Sequence, residues 1–294
     1  MSRPWVPFLL AVATAWAPAV QGWSADTHRA VAQIAQARLT PTARAKLELL
    51  GIRDLASVAA CADEIRRYWD ERDEGKPARL RPACEAVFPD PPRDTDRWHY
   101  VDIDADNPGP TRSEIRASCR GDACVIRQIP SHAGVLADAR SSQAARARAA
   151  AFLIHLVADI HQPLHCAERD DDGGGGRVSV RLGRAREQSL HGLWDSEIPR
   201  RIGASGTAIA ARVQDEVAEA ARKPRTELQT WVLDWAQESH SVARTVAYAG
   251  VPPGRRRRVV ELPEEYATVA RDAAKTRIAL AGVRLATVLN EALK

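Results

Sequence analysis

The sequence predicts an all-α fold, a single multi-helix domain with at most a short β-hairpin. Three observations predict it. Apolar residues recur at helical spacing through most of the chain. Alternating stretches of strand type are nearly absent. No internal repeat and no clear linker divides the 294 residues, which are enough for one large domain with a sizeable core.

The elements follow in order. Residues 30–38 carry Val31, Ile34 and Ala35 at helical spacing, with Leu39 just beyond. Thr40-Pro41 begins the next helix, Thr40 as its cap and Pro41 in its first turn. Residues 55–69 read as a helix. Residues 144–160 are alanine-rich and then apolar on most faces, which predicts a buried central helix. Pro163 should stop it near Gln162. Helices over 207–223, 228–249 and 264–293 complete the set. Val178 and Val180 alternate within 177–182, a short hairpin strand. Three aspartates and four glycines make 170–176 a flexible loop. Residues 76–96, rich in Pro, Arg and Asp, read as a surface excursion, and the arginines of 255–258 as a solvated loop.

Hydrophobic content of 45% with 27% charged residues fits a soluble globular chain, and a net charge of only +4 excludes a polycation. That balance suits a phosphate-bearing substrate without singling one out. Residues 1–22 read as an export signal: Arg3 supplies positive charge, 8–20 is small and apolar, and Val20 and Gly22 suit a cleavage site. The run is too short to span a bilayer comfortably, and no later stretch of about 18 apolar residues exists, so no membrane span is expected. Cleavage after Gly22 makes Trp23 the mature N-terminus and 23–294 the folded domain, secreted or periplasmic. Export makes disulfides plausible among the five cysteines. Cys119 and Cys124 flank a short turn that a bridge could close. Cys61 and Cys166 read equally as buried small apolar residues or as bridge partners. An odd count leaves one thiol free.

The chemistry concentrates in His/Asp segments. The run FLIHLVADIHQPLH places His155 and Asp159 at i,i+4 on one helix face, amid Phe152, Leu153, Ile154, Leu156, Val157 and Ile160. A carboxylate and an imidazole in such surroundings need a partner, and a divalent metal is the economical one. His165 lies just past the helix end. His191 and Asp195 repeat the i,i+4 pairing. Two more segments follow the same logic, His99-Tyr100-Val101-Asp102 and Asp63-Glu64-Ile65-Arg66, and a third runs from Trp23 to His28. Imidazole plus carboxylate without thiolate is the ligand set of catalytic zinc. His161 faces a different angle and reads as a structural group, while His132 and His240 stand outside the set.

These segments, in this order, resemble the secreted zinc-dependent single-strand nucleases of moulds and plants, the mung bean nuclease type, whose fold is shared with zinc phospholipase C. The FLIHLVADIHQPLH run, the LHGLWD element and a tryptophan five residues before His28 carry the resemblance over essentially all of 23–294. It implies three Zn2+ per chain in one cleft. Asp63, His99, His155 and Asp159 would hold the first. The amino group and carbonyl of Trp23, His28 and the bridging Asp159 would hold the second. His165, His191 and Asp195 would hold the third. Arg66 matches the arginine that stabilises the transition state, and Tyr100 and Asp102 match the pair that receives a nucleobase. The implied activity is hydrolysis of single-stranded RNA and DNA to 5′-phosphate products, with 3′-nucleotides as further substrates and no stable protein partner. Two departures stand out. The segment between Asp63 and His99 is long, and the Gly-Gly-Asn element of those enzymes appears here as Gly176-Arg177. Two other readings remain open. A zinc phospholipase C also cuts phosphodiesters, although Asp195 and the Tyr100/Asp102 pair favour a base. A non-catalytic zinc-stabilised binding protein would not need Arg66 or an open coordination position.

Overall fold

A helix with apolar residues on every side has no face to offer water, and the later part of Gln143–Asp159 is such a helix. In the computed structural model, which describes residues 23–221, 228–254 and 258–294, every residue from Ala149 to Asp159 is buried. Ser142 caps its start by accepting from the Ala145 N–H. Its neighbours are the helices Ala25–Gln36, Cys61–Asp73, Val125–Ala137 and Glu264–Ala292. The 29-residue Glu264–Ala292 helix also lies along Ala25–Gln36. They approach closely at Gly282, where a Cβ would fall 2.4 Å from Ile34 Cγ2. The expected export signal, 1–22, and Arg255–Arg257 of the arginine run lie outside the described residues. Among the described residues no helix is long and apolar enough to cross a membrane.

The all-α expectation holds, and several boundaries move. The first helix starts at Ala25 rather than 30, so His28 sits on it. The helix expected over 55–69 is two, Leu55–Val58 and Cys61–Asp73, broken at Ala59–Ala60. The one expected over 207–223 is likewise two, Gly206–Arg212 and Gln214–Ala221, and its last two residues are not described. Beyond Leu228–Val242 the chain widens into a π-helical turn, Ala243–Ala247. Val125–Ala137 was not expected. Pro130 lies inside it and forfeits one intrahelical bond, while Val125, Ile126, Ile129, Ala133 and Leu136 are buried.

The expected hairpin exists and gains a third strand. β1 (Ser179–Leu182) pairs antiparallel with β2 (Gln188–Ser189) and parallel with β3 (Val260–Leu262). The expected surface excursion and the expected flexible loop are both structured. Within 76–96, Pro82–Val87 is helical and Cys84 bridges to Cys61, pinning the excursion to the Cys61–Asp73 helix. Phe88 is fully buried, edge-on to Phe152 at 5.1 Å. In 170–176, buried Asp172 accepts from the Tyr248 hydroxyl and the Gly175 N–H, which holds the loop. Cys119 and Cys124 form the second bridge and the buried Cys166 is free.

Phe88→Ala should therefore destabilise the domain as a core truncation does, by roughly 3–5 kcal/mol, measured by urea unfolding. A loss below about 0.5 kcal/mol, the range of ordinary surface substitutions, would return 76–96 to the surface.

Candidate metal centre

The site grows from Asp159 outward. Its carboxylate is fully buried at the last turn of the central helix and faces imidazoles on both sides. Oδ2 lies 2.8 Å from His99 Nδ1 and 3.0 Å from His155 Nε2. Oδ1 lies 3.5 Å from His28 Nε2 and 3.6 Å from His165 Nδ1. Asp63, from the Cys61–Asp73 helix, brings Oδ1 to 3.6 Å from His155 Nε2. Three groups of converging ligand atoms result: His28/Asp63/His155, His99/His155/Asp159 and His165/His191/Asp195.

Backbone carbonyls aim the rings. His155 Nδ1 donates to the Ala59 carbonyl at 2.8 Å, in the break between the two short helices. His165 Nδ1 donates to the His99 carbonyl at 2.9 Å, and His191 Nδ1 to the Gly174 carbonyl at 2.8 Å. Fixing one ring nitrogen this way leaves the other as a lone-pair donor toward the centre. Gly174 has φ +59°, and a Cβ there would lie 2.4 Å from the Leu164 carbonyl oxygen, so only glycine lets that carbonyl reach His191. Asp195 sits on a π-helical turn, Leu193–Glu197, rather than on a regular helix with His191. Its Oδ2 still lies 3.2 Å from His191 Nε2, and its Oδ1 accepts from Gln162 Nε2 at 2.8 Å. Residues 23 and 24 hang between two of these carriers. The Trp23 indole donates to the Ala158 carbonyl at 3.1 Å and the Ser24 N–H to the Asp195 carbonyl at 2.9 Å.

Several buried polar atoms have no hydrogen-bond partner among the described residues: both nitrogens of His28, Nε2 of His99 and His165, and Oδ1 of Asp63 and Asp159. Such atoms are expensive unless something binds them. Burial first, then mutual repulsion among the rings, pushes His28, His99 and His165 well below the usual histidine range, so these imidazoles are neutral ligand donors. Burial pushes the carboxyls of Asp159 and Asp195 up. Burial also opposes charge on His155, but the Asp159 and Asp63 carboxylates outweigh it and raise His155 to about 9. Imidazoles, neutral except for His155, and buried carboxylates in three convergent groups suit divalent cations, and all-N/O donors suit zinc.

The clusters floor a cleft of about 1060 Å³. Arg66 lies on its wall, its Nε donating to Asp96 at 2.7 Å and its Nη1 3.7 Å from Asp63. Tyr100 and Asp102 line the same cleft, both half-buried. Burial first, then the neighbouring Glu168 carboxylate, pushes Asp102 up to about 6.

The comparisons agree with this geometry. Residues 23–294 match the family model described as S1/P1 Nuclease. The chain belongs to the S1/P1 nuclease family. It is 26% identical to "Endonuclease 2" of Arabidopsis thaliana over 96% of each chain. It is 25% identical to "Nuclease S1" of Aspergillus oryzae over 73% of this chain and 69% of that one. It is 27% identical to "Nuclease P1" of Penicillium citrinum over 61% and 59% respectively.

For this S1/P1 family member, the structure gathers every His and Asp singled out as a metal ligand into one region. The grouping differs in one respect from the expected sets, because His28 approaches Asp63 and His155 as well as Asp159. His161 stays outside. It is buried, but Nδ1 donates to the Val157 carbonyl at 2.7 Å and Nε2 accepts from Arg284 at 2.9 Å. His132 is stacked on Phe152 and His240 donates to the Asp104 carbonyl. Sequence reasoning missed Ala59, Gln162 and Gly174 as positioning groups. Gln162, beside Pro163 and three residues past Asp159, carried a signal; the carbonyls of Ala59 and Gly174 carried none.

At pH 7 the metal-free protein should hold a proton on His155, whose raised pKa stabilises the fold fully below about 6.5 and less as pH rises through about 9. Zinc must displace that proton. Calorimetric titration of metal-stripped protein in two buffers of different ionisation enthalpy should show proton release at pH 7 and affinity rising with pH. Zinc uptake at pH 7 without proton release would remove His155 from the ligand set.

Proposed function

We propose that this protein is exported, secreted or periplasmic, and hydrolyses phosphodiester bonds of single-stranded RNA and DNA to 5′-phosphate products, with 3′-nucleotidase activity. The observation that carries the reading is the shared cleft. Arg66, Tyr100 and Asp102 stand on its walls, with His99, His165 and His191 at its floor. Names such as "Endonuclease 2" and "Nuclease S1" among its relatives support nucleic acid as the substrate class.

In this reading Asp63, His99, His155 and Asp159 hold one zinc ion. The amino group and carbonyl of Trp23, with His28 and the shared Asp159, hold a second. His165, His191 and Asp195 hold the third. Bound zinc would supply Lewis acidity toward phosphoryl oxygens and lower the pKa of a water molecule. The protein's own groups do the rest. Arg66, with its side chain 9% exposed and fastened by Asp96, presents positive charge where phosphoryl oxygens gain negative charge. The Asp96 contact removes freedom that the long side chain would otherwise lose on binding. Tyr100 offers a ring to a base, and a base can reach it only when unstacked from its neighbours, which favours single strands. Asp102 is ionised above about pH 6 and accepts from base N–H groups.

Export ties into the same site. A main-chain nitrogen has a lone pair for a metal only as a free terminus. Residues 23 and 24 are held beside Asp159 and Asp195 by the Ala158 and Asp195 carbonyls, which supports Trp23 as a ligand.

Asp159→Asn should abolish hydrolysis, on the order of 10³-fold or more, and lower zinc content. Near-normal turnover with full zinc occupancy would sink the reading. Protein that begins at Trp23 should carry one more zinc than protein bearing an extra N-terminal glycine, and should be far more active. Equal metal content and equal activity of the two would show that the Trp23 amine is not a ligand.

A further inference from the structure

Two arginines on the cleft wall have no task in the reaction above. Arg97 and Arg120 are exposed and line the cleft with Tyr100 and Asp102. Neighbouring arginines are committed: Arg66 to Asp96, Arg93 to Asp73, Arg169 to Asp106 and Arg177 to the Asp171 carbonyl. Arg97 and Arg120 make no ion pair and no side-chain hydrogen bond among the described residues. Both lie near enough to Asp102 for their charge to oppose the upward pull of burial on its carboxyl.

Their mounting is specific. Arg97 belongs to the Asp96–His99 3₁₀ turn, which also carries His99 and leads into Tyr100. Arg120 follows Cys119 in the loop closed by the Cys119–Cys124 bridge. That loop is tied to the base pocket, because the Val125 N–H donates to the Tyr100 carbonyl at 3.2 Å. The Cys61–Asp73 helix and its end contribute Asp70, Asp73 and Glu74 to the same cleft. A polyanion is repelled by those carboxylates and attracted to the arginines.

The register rests on the proposed activity toward 3′-nucleotides. A 3′-nucleotide has one base and one phosphate. With its phosphate at the His/Asp clusters and its base at Tyr100, only its 5′ oxygen is left to continue the strand. We propose that Arg97 and Arg120 form a subsite for the phosphate on the 5′ side of the nucleotide held at Tyr100. Phosphate is the ligand that two unpaired guanidinium groups fit, each offering a fork of N–H donors. The subsite makes the protein read substrate on the upstream side of the bond it cuts, and it favours internal positions over isolated nucleotides.

The test compares a nucleoside 3′-monophosphate with the 3′,5′-bisphosphate of the same nucleoside, using the zinc-loaded protein. Base and scissile ester are identical, and only the 5′ phosphate differs. The bisphosphate should show a KM lower by roughly five- to tenfold, and R97A/R120A should erase that advantage while R97K/R120K keeps part of it. Binding of a phosphorothioate oligothymidylate gives a readout without turnover. The slope of log affinity against log salt should become shallower by about 1.4 in R97A/R120A, about 0.7 for each charge removed. Equal KM for the two nucleotides, or an advantage that survives in R97A/R120A, would overturn the subsite. Failure to release phosphate from either nucleotide would instead overturn the nucleotidase reading, and the subsite with it.

Discussion

A carboxylate with no access to water sits at the end of the buried central helix, and the segments around it are arranged to meet that difficulty. Asp159 has an imidazole near each oxygen on two sides, from His28 and His165 and from His99 and His155. His155 comes from the preceding turn of the same helix, and the other three come from other elements. The N-terminal helix supplies His28, a 3₁₀ turn supplies His99, and the turn Pro163–Cys166 supplies His165. A buried charge without compensation is strongly destabilising. The packing that brings these segments to Asp159 is therefore coupled to the chemistry of the centre, and a bound divalent cation would relieve the shared cost.

Three irregularities of the backbone aim ligands. The break at Ala59–Ala60 presents a carbonyl to His155. The π-helical turn Leu193–Glu197 sets Asp195 against His191 and Gln162. The left-handed Gly174 brings its carbonyl to His191. Each departure costs local regularity and returns a fixed ring or carboxylate orientation. Loose ligands would leave a metal poorly held, because coordination geometry tolerates little error.

Above the centre, the cleft carries charges of both signs. Arg66 is fastened by Asp96. Beyond it, carboxylates of the Cys61–Asp73 helix and its end lie along the cleft, as do arginines of the Asp96–His99 turn and the Cys119–Cys124 loop. Tyr100 connects floor and wall, since the next residue, Val101, donates its N–H to the His165 carbonyl and Tyr100 itself accepts from Val125. The cleft wall at Tyr100 and the His/Asp clusters thus share one backbone segment, which keeps their spacing fixed.

The sequence by itself determined the helical class, the buried central helix and nearly all of the His/Asp set. The reason is local: periodicity places His155 and Asp159 on one face, and an ionisable pair in an apolar helix demands a partner. The same local reasoning drew 55–69 as one helix and left out Val125–Ala137, because a helix break and a tolerated proline are decided by packing partners far away in the chain. It took 76–96 for surface, while the Cys61–Cys84 bridge and Phe88 against Phe152 fix that segment to the core. The family resemblance, not periodicity, named His28 as a ligand, and only the tertiary structure set His28 against Asp63 and His155 as well as Asp159. Gln162, Ala59 and Gly174 came from the tertiary structure too. A side-chain type can be read from a sequence, but a backbone carbonyl is present at every residue, and only the fold decides which ones meet an imidazole.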